Sequence, residues 1–117
     1  DHTMVVEFNQ LVVADAAGKA AGLSFLYSLN AWGGTAFFAP LNKAFTHSGY
    51  ADADTIVFLT DGYPFDAAMT QAAYPGWVGA KPASFRVVGY QIGGWGGGLN
   101  AFMSWLSGQP KTTVYLK

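Results

Sequence analysis

The most distinctive pattern in the chain is an unbroken apolar run, Ile56-Val57-Phe58-Leu59, which is followed by Thr60-Asp61-Gly62. A continuous apolar run that stops at turn residues is typical of a strand covered on both faces of a sheet. The pattern therefore predicts a central strand over residues 55–60. Open α/β sheets bind ligands at the carboxyl ends of their strands. Asp61 is thus the first candidate site residue.

Other strand and helix patterns alternate along the chain. Apolar runs bounded by turn residues predict strands over residues 4–8, 11–13, 85–92 and 112–116. Helical spacing and capping residues predict helices over residues 16–29 after Asp15, over residues 36–46 after Thr35, and over residues 67–73 after Asp66. Tyr74-Pro75-Gly76 is expected to end the third of these helices, and residues 99–106 form a fourth after the glycine loop 93–98.

This alternation predicts an α/β fold class. We expect a doubly wound, mostly parallel sheet with helices on both faces, in a single domain over residues 1–117. The helical spans are long enough to cover both faces.

Composition narrows the function classes. Only 11% of the residues are charged while 51% are hydrophobic, which is a low charged share for a soluble domain. Either partners cover part of the surface, or the surface is neutral and rich in small polar residues. The net charge is −1 without a basic block, which argues against nucleic-acid binding. Cysteine is absent, so thiolate chemistry is excluded, and no apolar run is long enough for a transmembrane segment.

Taken in order, several segments resemble the von Willebrand factor A domain, and the resemblance covers nearly the whole chain. The matching segments are Val5-Val6-Glu7-Phe8-Asn9, Gly33-Gly34-Thr35, Asn42-Lys43-Ala44-Phe45, the stretch from Asp54 to Pro64 with its Thr60-Asp61-Gly62, and the stretch from Arg86 to Gly93. The resemblance implies a protein-binding or adhesion module, not an enzyme, at an extracellular or cell-surface location. It also implies a metal-ion-dependent adhesion site for Mg²⁺, with Thr35 and Asp61 as metal ligands.

The chain departs from the family at one essential motif. The Asp-x-Ser-x-Ser that ends the family's first strand occurs nowhere in this sequence, and the chain begins with Asp1 at what resembles the second strand. Three explanations stay open: a partner chain supplies the missing strand, the remaining strands pair directly, or the chain is one piece of a larger protein. The first and third predict an oligomer or larger assembly. A structural subunit without a metal site is the alternative function.

Aromatic residues in the predicted loops form a second candidate site. Trp32, Tyr63, Phe65 and Trp95, with Tyr74 and Trp77, are expected either to surround Asp61 and bind a partner or to cover the ends of the core. The glycine loop lacks the Lys-Ser/Thr of a phosphate-binding loop, and none of the serines lies in a Gly-x-Ser-x-Gly motif. The sequence therefore favours binding over catalysis.

Overall fold

A computed structural model describes residues 16–28, 35–93 and 97–116 of the chain. The described elements, in chain order, are α1 (Ala16–Ser28), α2 (Phe38–Thr46), a 3-10 turn (Ser48–Tyr50), β1 (Thr55–Thr60), α3 (Ala67–Gly79), β2 (Arg86–Gln91), α4 (Gly97–Ser107) and β3 (Thr112–Leu116). The strands predicted over residues 4–8 and 11–13 lie outside the described residues, as does the capping residue Asp15.

The described strands form one parallel sheet in the order β1-β2-β3. Thr55 lies opposite Arg86 and Thr60 opposite Gln91, and Val87 lies opposite Thr112 in the next pair. Successive parallel strands need crossover connections, which α3 and α4 supply. The predicted α/β class with a parallel sheet is confirmed, and the arrangement is compatible with a Rossmann-like layering.

The hydrophobic core lies on one face of the sheet. Side chains of α2, α3 and α4 pack there against Ile56, Phe58 and Val87. The rings of Phe37 and Phe58 pack edge to face, with their centroids 4.7 Å apart. Gly89 lets α4 approach closely, because an added Cβ would lie 3.4 Å from a Met103 methyl group.

The opposite face of the sheet is open. Val57 and Leu59 of β1 are 57% and 55% exposed, so the prediction that β1 is covered on both faces is wrong. An apolar run shows only that a strand is suited to burial. Whether the strand is buried depends on other elements, which the run itself does not specify. We expected helices on both faces, and the described helices that pack on the sheet lie on one face only.

Helix α3 continues past its expected end. The predicted stop at Tyr74-Pro75-Gly76 is wrong, because α3 runs to Gly79 with Pro75 inside it. Proline inside a helix costs about 3 kcal/mol. Tyr74 and Val78 lie one turn apart, and both are buried in the core, so their packing offsets that cost. The helix begins at Ala67 as expected.

Other boundaries follow the sequence more closely. The described part of α1, Ala16–Ser28, lies within the predicted helix, and β3 spans Thr112–Leu116 as predicted. Helix α4 spans Gly97–Ser107 and includes the whole predicted helix over residues 99–106. The predicted strand over residues 85–92 is shorter by one residue at each end.

Candidate functional site

The turn after β1 places Asp61 at the surface. Thr60 Oγ1 donates a hydrogen bond to Gly62 O at 3.0 Å and accepts one from Gly62 N at 3.3 Å. Thr60, and not Asp61, therefore makes the side-chain hydrogen bonds to the backbone of this turn. The Asp61 carboxylate is exposed and accepts no hydrogen bond from the part of the chain that the structure describes.

Thr35 lies against the same turn. A Cβ added at Gly62 would lie 2.6 Å from Thr35 Oγ1, so the absence of a side chain at position 62 makes room for this hydroxyl. Phe65 N donates a hydrogen bond to Thr35 O at 3.0 Å. The structure thus brings Thr35 to the residue next to Asp61, although 25 residues separate Thr35 from Asp61 in the sequence.

The expected capping role of Thr35 is wrong. Helix α2 begins at Phe38, and its first amides are bound by a distant side chain. Asp66 Oδ1 accepts from Phe37 N and Oδ2 from Phe38 N, each at 2.9 Å. A carboxylate at a helix N-terminus satisfies amides that have no partner within the helix and interacts favourably with the helix dipole.

Asp66 was expected to cap its own helix with its side chain. It does occupy the position before α3, but its side chain forms no capping hydrogen bond there. Instead its backbone carbonyl accepts from Thr70 N at 3.0 Å while its carboxylate serves α2. Asp66 is the residue that sequence reasoning missed at this site, because no local pattern links it to a helix that begins 28 residues earlier.

Two of the predicted partner-binding aromatics lie at the surface in the loop that follows Asp61. Tyr63 is 53% exposed and Phe65 is 79% exposed. The ring of Tyr63 lies close to the N-terminus of α4, since a Cβ added at Gly98 would lie 3.2 Å from it. Trp32 and Trp95 lie outside the described residues, so their predicted role stays a prediction.

Two other aromatics of that set belong to the core. Tyr74 is fully buried, and Trp77 stacks on Phe45 with ring centroids 5.6 Å apart. The proposal that they surround Asp61 is wrong, because the extension of α3 through Pro75 carries both into the helix layer.

A shallow cleft adjoins Asp61 at the carboxyl end of the sheet. Leu59, Thr60, Asp61 and Ile92 line it. Gln91, the residue before Ile92, links β2 to α4. Its Nε2 donates hydrogen bonds to Asn100 Oδ1 at 2.6 Å and to Gly93 O at 3.3 Å. The Gln91 Oε1 is buried and has no hydrogen-bond partner among the residues that the structure describes.

Thr35 and Asp61 supply only part of the ligand set that a metal ion needs. Within residues 16–28, 35–93 and 97–116, no group of three His, Cys, Asp or Glu side chains comes together. Thr35 and Asp61 would offer a hydroxyl and a carboxylate, which are hard oxygen ligands of the kind that Mg²⁺ prefers. Their assignment as metal ligands stays a prediction.

The described residues define an α/β protein with a parallel sheet and a polar turn at the carboxyl end of its first described strand. No protein-family model matches the chain, and neither a curated protein nor a solved structure matches it. The resemblance to the von Willebrand A domain therefore rests on the sequence segments alone. No helix in the described parts of the chain combines the length and apolar character needed to cross a membrane.

Proposed function

We propose that this chain is a protein-binding or assembly module of the von Willebrand A type, which holds a partner at the turn after β1. The observation that carries this proposal is the contact between Thr35 and Gly62, next to an exposed Asp61 at the carboxyl end of a parallel strand. A carboxylate and a hydroxyl at such a strand end can receive a cation or a polar group of a partner.

The edge of the sheet supports a partner that adds a strand. Within the described residues β1 pairs only with β2, so the other edge of β1 offers backbone N–H and C=O groups for pairing. Extended segments of other proteins bind such edges by main-chain hydrogen bonds. A strand added there would end beside Asp61 and could bring the oxygen ligands that this chain lacks.

In this proposal Thr35 and Asp61 would hold Mg²⁺ together with the added strand. The ion would supply a positive charge that accepts a partner's carboxylate. Thr35 would be fixed by its hydrogen bond from Phe65 N. Tyr63 and Phe65, both more than half exposed, would provide the apolar contacts around the ion, since aromatic residues are frequent hot spots of interfaces.

Calorimetry tests the metal part of the proposal. The chain is titrated with Mg²⁺ or Mn²⁺ alone and in the presence of a peptide strand that carries Asp-x-Ser-x-Ser. We expect heat of binding only with the peptide, and its loss in Asp61→Asn. The matched control is Asp52→Asn, which alters an exposed aspartate in the turn before β1. Absence of binding with and without the peptide would refute the metal site.

A structural subunit without a metal is the second candidate. The exposure of Phe65, at 79%, favours it, because aromatic contacts of this kind require no ion. Native mass spectrometry with and without a chelator separates the two candidates. An assembly that survives chelation and is lost in Phe65→Ala supports the second candidate, whereas an assembly lost on chelation supports the first.

A further inference from the structure

The open face of the sheet carries two apolar rows that run across the strands. In the first row Leu59 lies opposite Tyr90, and Tyr90 opposite Tyr115. The rings of Tyr90 and Tyr115 stack with centroids 5.1 Å apart. Leu59 and Tyr115 are 55% and 48% exposed. The second row continues the surface with Val57 opposite Val88.

The helices that connect the strands cannot cover these rows. Crossovers between parallel strands are right-handed, and β1, β2 and β3 follow one another in a single direction. Both connecting helices, α3 and α4, therefore lie on the same face, and both pack in the one core. Helix α2 packs against α3 on that face. Because parallel sheets are ordinarily buried on both faces, a cover must come from another element.

Helix α1 has a matching surface. Leu23, Leu26 and Tyr27 are 55%, 49% and 87% exposed, and their spacing of three and four residues places them in one stripe along the helix. The helix forms no extensive contact with any described helix or strand. Its sequence contains one charged residue, Lys19, so the stripe suits an apolar surface.

The dimensions of α1 fit the open face. Its 13 residues form a helix about 20 Å long, and the six residues of β1 span about 20 Å. Three strands spaced about 4.8 Å apart make a surface that one helix, about 10 Å in diameter, largely covers.

The connection to the sheet allows α1 to reach its own chain. Six residues separate Ser28 from Thr35, and Thr35 is held against Gly62 at the end of β1. A connection of this length spans at most about 25 Å. The open face begins at Leu59, three residues before Gly62, so either end of the face lies within reach.

We propose that the stripe Leu23, Leu26 and Tyr27 of α1 docks on the open face of the same chain's sheet. The arrangement in which both surfaces are exposed is then the undocked state of the molecule. In the docked state α1 completes the second helix layer and covers the row that contains Leu59 and Tyr90. This inference does not require the proposed partner site at Asp61, although Leu59 also lines the cleft beside Asp61.

Cross-linking between introduced cysteines tests the docking. The chain has no cysteine, so Leu26→Cys combined with Leu59→Cys gives a single reactive pair. The matched control combines Ala21→Cys with Leu59→Cys, because Ala21 is exposed and lies on the side of α1 opposite Leu26. We expect a short bismaleimide to form an intrachain cross-link at least about fivefold faster in the Leu26 pair, independently of protein concentration.

Two results would overturn the inference. One is an equal rate of intrachain cross-linking in the Leu26 and Ala21 pairs. The other is a product that forms only between chains and scales with concentration, since it would assign the open face to a second copy.

Hydrogen exchange gives a second, independent readout. Leu59→Asp places a charge in the proposed contact at an exposed position, so the fold of the sheet is retained. We expect faster exchange of the α1 amides by at least about fivefold, because the docked population falls. Met69→Asp is the control, since Met69 is 56% exposed on α3 and outside the contact. Unchanged exchange in Leu59→Asp, or an equal increase in both variants, would contradict the docking.

Discussion

Replacing Gly62 with alanine tests whether Thr35 is held against the turn after β1. The new Cβ would lie 2.6 Å from Thr35 Oγ1, and ordinary van der Waals contact begins at 3.4 Å, so the hydroxyl would have to retreat by about 0.8 Å. The hydrogen bond from Phe65 N holds the Thr35 backbone, and a β-branched side chain has few alternative rotamers. The substitution therefore forces either an unfavourable rotamer or a backbone shift.

The size of the effect follows from two opposing contributions. Overpacking of a tight contact costs about 1–3 kcal/mol. Gly62 does not adopt a positive φ, so alanine is compatible with the backbone there and stabilises the fold by about 0.4–1 kcal/mol through the unfolded chain. The steric cost is the larger, and we expect Gly62→Ala to lower the free energy of unfolding by about 1–2 kcal/mol.

The decisive measurement is a double-mutant cycle with Thr35→Ala. This second substitution removes Oγ1, and the nearest remaining Thr35 atom is Cβ, at 3.5 Å from the new methyl group. Gly62→Ala should then change sign and stabilise the Thr35→Ala protein by about 0.4–1 kcal/mol. Urea denaturation followed by tryptophan fluorescence gives each free energy, because Trp77 and Trp105 pack against the core.

Gly76→Ala is the control for this double-mutant cycle. Gly76→Ala lies in α3 with no atom within 4 Å of the new methyl group, so it should stabilise the protein by about 0.5–1 kcal/mol. Equal destabilisation by Gly62→Ala with and without the Thr35 hydroxyl would show that the contact is not responsible. Gly62 would then not be what keeps Thr35 in position.

Three further predictions concern the contacts that hold the described fold together. Asp66→Ala should lower the free energy of unfolding by about 2 kcal/mol, because two amides of α2 lose their acceptor, whereas Asp52→Ala, at an exposed turn, should change it by less than about 0.5 kcal/mol. Lys111→Met should cost about 1 kcal/mol, because the ammonium group donates to Val78 O in the last turn of α3 and to Lys81 O just beyond the helix. Burial raises the pKa of Tyr74 to about 12, while its hydrogen bond with a threonine hydroxyl lowers it in part; this stability contribution is complete below about pH 10 and should fall by about 1 kcal/mol at about pH 11.

Each of these predictions has a clear counter-result. Equal urea midpoints for the Asp66 and Asp52 variants would remove the capping argument. A Lys111→Met protein as stable as the parent would mean that water satisfies the carbonyls equally well. For Tyr74, the comparison is with Tyr74→Phe at about pH 9 and about pH 11. The parent should lose about 1 kcal/mol more than this variant between the two conditions, and an identical loss would contradict the prediction.

Local signals in the sequence predicted several elements correctly. The run from Thr55 to Thr60 and the alternating segment from Thr112 to Leu116 are strands in the structure, because both contain β-branched residues bounded by turn residues. Helix α3 begins where the pattern places its start. These features depend on residues near one another in the chain, so one sequence is sufficient to find them.

Features that depend on distant residues were missed. Pro75 predicts a helix end, but the burial of Tyr74 and Val78 in the shared core outweighs that local preference. The Asp66 carboxylate directly precedes α3 in the sequence but binds the amides at the start of α2 in space. The open face is a third case, since Val57 and Leu59 are apolar whether or not another element covers them.

The same contacts that stabilise the fold also position the proposed site. Phe65 N holds Thr35 O, and the Asp66 carboxylate holds the amides of Phe37 and Phe38, so the segment before α2 is fastened to the loop after β1 at both ends. Thr35 is therefore positioned by the folding of the core and does not wait for a ligand to order it. A substitution such as Gly62→Ala should weaken cation or partner binding and folding stability together. A variant that loses binding with full stability must instead act through an exposed contact residue, such as Asp61 or Phe65.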